Sequence, residues 1–455
     1  MAQRAVEEAL TETETERAEL QPLLERVVPR VLNELNITEI TKDVAKLIKI
    51  LKCQSQFNSP LFVSHGMDHS FRVAEYGLQI YKQSPIFEEA LERQLGEKYK
   101  ETVILTCLLH DVGYIEYEYD NQNHVKNDRI SECLSEFRCE CAGCGINEEY
   151  FRELKFLHAK LGATWIERSL KELPNSKYII HTVENHNSDS KGSQTRYEPS
   201  QHGKLCSLTE GYSRAYLPCS VNENPLLSLL RIADNLDITR TRLSLEQRAT
   251  EFISFQRFVA QGEKYSQAEK QTVIKDILEK NPDCRPDIVK HLVERTNEHE
   301  FKFQYSNWIW ESATIGYEEG PFIFTLRCET VHLVKSNPLS FTNNIEPALF
   351  QFKRMIESFK TIKVNERDEE TIDKKIYVTI IVKDEDYDES SESGIYSCEL
   401  AYIFDNLKHW EEASFHSLGG GRILKGKRNK IKRKKKNKSR KKKKRRKRSR
   451  KSKRI

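Results

Sequence analysis

Four short segments of the chain carry side chains that bind divalent metal ions. "HGMDHSFRV" supplies His65 and His69, "LLHDVGY" supplies His110 and Asp111, "KYIIHTVENHN" supplies His181 and His186, and "LLRIADNLDITRTRL" supplies Asp234 and Asp237. Imidazole and carboxylate together suit Mn, Mg, Fe, Ni, Co or Zn. The absence of thiolate from the set points to a catalytic site more than a structural one. A lone histidine is more often a polar or capping residue, so the order and surroundings of the segments carry the reading. In "TVILTCLLHD" two adjacent polar side chains end an apolar run. In "LLSLLRIAD" the carboxylate of Asp234 lies within another apolar run, where burial is costly unless a metal or a cation answers the charge.

Such residues converge only if helices hold them. From about residue 37 to 260 the apolar spacing is helical, in ITKDVAKLIKILKCQ, HSFRVAEYGLQIYKQ, ETVILTCLLHD, KLGATWIERSLKEL, KYIIHTVENH and LLSLLRIADNLDITRTRL. Residues 1–36 read as an N-terminal helical extension. A Cys-rich insertion (133–144) and a polar, Gly/Ser-rich loop (187–224) interrupt the helices. After about 265 the pattern changes. AEKQTVIKDILEK and RPDIVKHLVERTNEHE read as helices, and FKFQYSNWIW, PFIFTLRCETVHLV and KKIYVTIIV as strands. NNIEPALFQFKRMIESFKTI reads as a further helix, and 384–424 is weakly patterned. The expected fold class is α+β: an all-helical domain over 37–264, a mixed α/β region over 265–424 and a disordered basic tail over 425–455.

The helical region resembles the HD-domain superfamily of metal-dependent phosphohydrolases. "HSFRVAEY" is similar to that family's first-ligand helix, "LLHDVGY" to its His-Asp doublet and "RIADNLDITRTR" to its last-ligand helix, and the likeness covers about residues 40–260. It implies a helical bundle in which His69, His110, Asp111 and Asp234 hold a divalent ion. Some subfamilies add histidines for a second ion, and "HAKLGATWIERSL" (His158) and "VENHN" (His186) resemble those positions. The plain alternative leaves His158 and His181 as helix-surface or capping residues. A Gly-Tyr-Pro motif, which the cyclic-dinucleotide subfamily carries, is absent here.

Metal-activated water would attack phosphorus in line with the leaving oxygen, with Asp111 and His158 as the catalytic candidates. Many relatives place a Lys or an acid after the doublet. Here Val112, Gly113 and Tyr114 follow, so the proton donor is open among His158, His65 and Asp68. Guanidinium groups suit phosphate. Arg72, three residues after His69, and Arg240 and Arg242, six and eight after Asp234, are candidate substrate contacts, although an Arg on a helix is more often a solvated charge.

Two features lie outside this scheme. Cys133, Cys139, Cys141 and Cys144 could close a tetrahedral structural zinc site, or belong to a reduced, Cys-rich surface insertion. The net charge of +5 conceals a division: 425–455 holds 23 Lys or Arg and no acid, leaving 51 basic against 69 acidic residues elsewhere. That tail fits sequence-blind polyanion binding through phosphate charge, a nuclear address in a eukaryote, or translation past the gene's true end. Eleven scattered cysteines, no apolar leader and no run near the ~18–20 apolar residues of a membrane span lead to the expectation of a cytoplasmic protein, nuclear if eukaryotic, with no membrane partner. The expected substrate is a phosphorylated small molecule, a nucleotide above all. The rival expectation is a nucleic-acid-associated or regulatory protein whose metal- or nucleotide-binding domain does not turn over. Oligomeric state is not legible in the sequence.

Overall fold

The computed structural model describes residues 23–34, 47, 51, 63–114, 118–119, 125–127, 158–167, 170, 172–187, 216, 218–250, 266–294, 304, 306–316, 322–330, 349–365, 370–382 and 395–403. The helices are α1 (Val28–Glu34), α2 (Met67–Gln83), α3 (Pro85–Leu95), α4 (Tyr99–Leu109), α5 (158–167), α6 (Ser176–Asn185), α7 (Pro225–Leu236), α8 (Gln267–Lys280), α9 (Pro286–Glu294) and α10 (Phe350–Phe359). Strands β1 (Glu118–Tyr119) and β2 (Val125–Asn127) form a small antiparallel pair, and β3 (Cys219–Ser220) runs parallel to β6 (Ile362–Lys363). The remaining strands, β4 (Ser312–Gly316), β5 (Phe324–Thr330), β7 (Ile376–Val382) and β8 (Ile395–Glu399), make one mixed sheet in the order β4-β5-β7-β8.

Helices α2, α4 and α7 form the centre. Every residue from Thr102 to Leu109 of α4 is buried, as are Leu226, Leu227, Leu229, Leu230, Ile232, Ala233 and Leu236 of α7. A helix apolar on all sides belongs inside. The hydroxyls buried with α4 bond one turn back, Thr102 Oγ1 to the Lys98 carbonyl (2.7 Å) and Thr106 Oγ1 to the Thr102 carbonyl (2.7 Å), which removes the cost of burying them.

The C-terminal region sits directly on this bundle. Trp310, Phe352, Met355 and Phe359 belong to the same hydrophobic cluster as α2, α4 and α7. The Tyr76 hydroxyl donates to the Ala313 carbonyl (3.0 Å), and the Arg240 amide to the Trp310 carbonyl (2.9 Å). Helices α8 and α9 pack on each other around a separate small core of Val273, Ile274, Ile277, Cys284, Val289 and Val293. Helix α8 opens with a reciprocal cap between Ser266 and Glu269.

The α+β class stands, with one local correction. FKFQYSNWIW, read as a strand, is helical over 306–309, and β4 begins only at Ser312. Ser306, Asn307, Trp308, Ile309 and Trp310 are buried in succession, which alternation on a one-faced strand does not allow. Among the described residues no helix is long and apolar enough to cross a membrane. The Cys133–Cys144 cluster and the basic tail lie outside the described residues.

Candidate metal centre

Three central elements end at one point. His69 lies in the first turn of α2, His110 follows the last residue of α4, and Asp234 lies in the last turn of α7. Asp111, 2% exposed, is the hub. Its Oδ2 is 3.4 Å from His69 Nε2 and 3.3 Å from His110 Nε2, and Asp234 Oδ1 lies 3.3 Å from His69 Nε2 and 3.7 Å from His110 Nε2. Its other oxygen, Oδ1, is 3.3 Å from His158 Nε2 on α5 and 3.7 Å from His186 Nε2 at the end of α6.

The nitrogens face one another in a way that hydrogen bonding does not explain. His69 Nε2 and His110 Nε2 are buried without a hydrogen-bond partner, and the Nε2 atoms of His158 and His186 approach to 3.2 Å. The Nδ1 atoms of His110 and His186 are turned to carbonyls of their own helices, Cys107 and Val183, both at 2.7 Å. Those acceptors take the proton on Nδ1 and aim each Nε2 at Asp111. Donors of three of these groups also lie within 4.8 Å of one another in three overlapping sets: His65, His69 and Asp111; His69, His110 and Asp234; and His110, Asp111 and His186. Buried lone pairs converging on carboxylates fit a divalent cation.

The electrostatics agree. Burial works against charge on His110, but the Asp111 and Asp234 carboxylates outweigh it and raise its pKa to about 10. Burial and Arg242 push His69 down, yet Asp111, Asp234 and Asp237 carry it above its usual value. Burial also opposes ionisation of Asp111 and Asp234, but the neighbouring histidines hold both well below the usual carboxylate range. His158 goes the other way: burial lowers it to about 4 despite Asp111. The ring at His158 is therefore neutral at pH 7, as a ligand must be.

Backbone geometry makes the convergence possible. A Cβ on Gly113 would lie 1.8 Å from the His158 carbonyl and 2.6 Å from the Gly162 amide nitrogen. Only glycine lets the turn after the doublet approach α5 closely enough to bring His158 to Asp111.

Several of the residues singled out in the sequence take supporting positions instead. A shared helical face for His65 and His69 requires the helix to start early, but α2 begins at Met67. His65 instead sits on an extended segment, with Nδ1 2.8 Å from Asp111 Oδ2 and its ring stacked on Tyr114. Arg242 fastens that segment by donating to the Ser64 carbonyl through Nε and Nη2. Arg231, fully buried on α7, donates to the Asn185 carbonyl beside His186 (2.6 Å). Arg72 is engaged with Asp237 (2.9 and 3.0 Å) and Asp68 (2.9 Å), behind His69 instead of open to a substrate. Arg240 is half-buried on the turn after α7, and its guanidinium has no partner among the described residues. His181 is exposed and stays outside the cluster.

Fold and site together define a helical domain with a buried His/Asp cluster that could hold a divalent metal ion. Residues 66–239, less than half of the chain, match the family model described as the HD domain. No curated protein and no solved structure matches the chain.

Proposed function

We propose that the protein hydrolyses a phosphate ester of a nucleotide or another small molecule. The observation that carries this reading is the buried Asp111 carboxylate, with imidazole nitrogens gathered on each of its two oxygens. His69, His110, Asp111 and Asp234 would hold one divalent ion, and His158 and His186 would share Asp111 in holding a second. Ions held there supply a Lewis acid that acidifies water and offsets charge on a phosphoryl oxygen.

The remaining roles fall to the chain's own side chains. Asp234, 29% exposed at its side chain while Asp111 is nearly closed off, lies on the open side of the cluster. Arg240 follows it on the next turn and is the proposed contact for substrate phosphate. Of the candidate proton carriers, Asp68 is occupied by Ser64 and Arg72, and His158 serves as a ligand. His65 is left. Burial outweighs Asp111 and lowers its pKa to about 3, so the ring is neutral, and Asp111 can only accept, which places the proton on Nδ1. A ring this hard to protonate is a weak base, so its part is to hold Asp111 through Nδ1–H.

A second reading, metal binding without turnover in a regulatory or nucleic-acid-associated protein, draws on Val112, Gly113 and Tyr114. All three are buried and put no lysine or acid after the doublet. One experiment separates the two: metal content of the purified protein, then a panel of nucleotides and simple phosphate esters with Mn, Mg, Ni and Co. Phosphate release that disappears in Asp111→Ala supports the hydrolase. Full metal content with no release across the panel favours the second reading.

A further inference from the structure

We infer that Asp237 is a positioning residue that sets the tautomer of His69, and that Arg72 holds Asp237 in the orientation this requires. The inference rests on the metal-binding reading of the cluster but not on which substrate is cleaved.

Asp237 is fully buried, three residues after Asp234, and could be mistaken for another ligand. Its oxygens are committed elsewhere. Oδ2 accepts from His69 Nδ1 at 2.6 Å, and Arg72 Nε lies 2.9 Å from Oδ1 and 3.0 Å from Oδ2. Arg72 is steadied in turn by Asp68, whose other oxygen accepts from Ser64. The Asp237 backbone amide caps α7 by donating to the Asp234 carbonyl. The same residue thus ends the helix that carries Asp234 and fixes the ring of His69 on α2.

His69 differs in this from His110 and His186, whose Nδ1 atoms face neutral backbone carbonyls. A carboxylate behind a ligating imidazole makes the opposite nitrogen a stronger donor and fixes the ring's orientation. Both effects act at His69 Nε2, which points to Asp111 and Asp234.

Chemistry makes the substitution Asp237→Asn unusually informative. Arg72 Nε–H is a donor and requires an acceptor, so the amide would turn its oxygen to Arg72 and its NH2 to His69 Nδ1. Nδ1 must then accept, and the ring proton moves to Nε2, where it blocks the metal. Changing Arg72 as well removes that demand. In the double variant Asp237→Asn with Arg72→Met, the amide oxygen is released to face His69 Nδ1–H, and the binding tautomer returns.

The test uses Co2+ titration of the full chain, read by the visible absorption of the bound ion, with 15N NMR of the histidine rings to give the His69 tautomer. Thermal melts confirm that each variant is folded. Asp237→Asn should weaken Co2+ binding roughly 10- to 100-fold and move the His69 proton to Nε2. The added Arg72→Met should recover part of the loss, whereas a residue that only supports the fold would lose further. If the double variant does not fold, the tautomer in Asp237→Asn decides alone. Wild-type Co2+ affinity in Asp237→Asn, or lost affinity with the proton still on Nδ1, overturns the inference. A wild-type protein that takes up no Co2+ overturns the metal-binding reading and this inference with it.

Discussion

The two oxygens of Asp111 look out on unequal surroundings. Oδ2 faces His69 and His110 with a second carboxylate, Asp234, alongside. Oδ1 faces His158 and His186, and Asp111 is the carboxylate described on that side. The first side draws on the three most deeply packed helices of the bundle, α2, α4 and α7. The second draws on α5 and the end of α6. More negative charge and stiffer support both favour a cation, so the Oδ2 side should bind more tightly, fill first on loading and empty last under chelation.

The largest expected effect comes from the group both sides share. Asp111→Ala should abolish metal uptake on either side and cut hydrolysis on the order of a thousandfold or more, since several kcal/mol of charge stabilisation disappears. Elemental analysis and phosphate release read the outcome. A variant that keeps its metal and its rate would remove Asp111 from the centre.

The comparison sharpens when one side is broken at a time. Asp234→Ala should remove the tight ion and reduce the rate by roughly a hundredfold, while His186→Ala should lower metal content from two ions to one with a smaller loss, roughly tenfold, because an ion is worth several kcal/mol only where it meets the developing charge. A stoichiometry of one in the wild type, unmoved by His186→Ala, would leave His158 and His186 as packing residues.

Protons provide a finer test. With His110 raised to about 10, the metal-free Oδ2 side holds an extra proton at pH 7 that the ion must displace. Its affinity should rise with pH up to about 10, by about tenfold per unit for each proton released. The same shift means that charged His110 stabilises the metal-free fold fully below about 6.5 and loses that contribution as pH rises through about 10. His158 is lowered to about 4, so above about pH 5 it should release no proton to an entering ion. Calorimetry in buffers of different ionisation enthalpy counts the protons, and equal release from both sides would erase the distinction.

Much of this cluster is legible along the chain because its candidate ligands end apolar helices. His110 and Asp111 close α4, and Asp234 stands in the last turn of α7, where a polar side chain at the end of a buried run is costly unless a charge or a ligand answers it. The likeness to the HD family supplied His158 and His186, which no local pattern marks. Most of the supporting shell is hidden by distance. Asp237 and Arg72 are 165 residues apart, and Asp237 and His69 are 168 apart, so nothing near either residue announces the pair. Helix α3 has Pro85 in its first turn and an amphipathic face, yet its short pattern is masked by two better-marked neighbours. Strand β8 lies inside the stretch that looks weakly patterned. It is recognisable only through its pairing with β7, where Val378 stands opposite Cys398.

The contact between Gly113 and α5 has a consequence for how this chain tolerates added sequence. Gly113 and His158 lie side by side, the His158 carbonyl directly against Gly113. Whatever lies between 115 and 157 is thus hung from two pegs already pinned side by side. Closing a longer loop between such fixed ends adds only a slowly growing entropy term. Sequence added between these two points should accordingly leave Asp111 and His158 in place. The junction acts as a docking port in the chain: new sequence can be spliced in beside the reactive groups, while the pegs keep the helices in register.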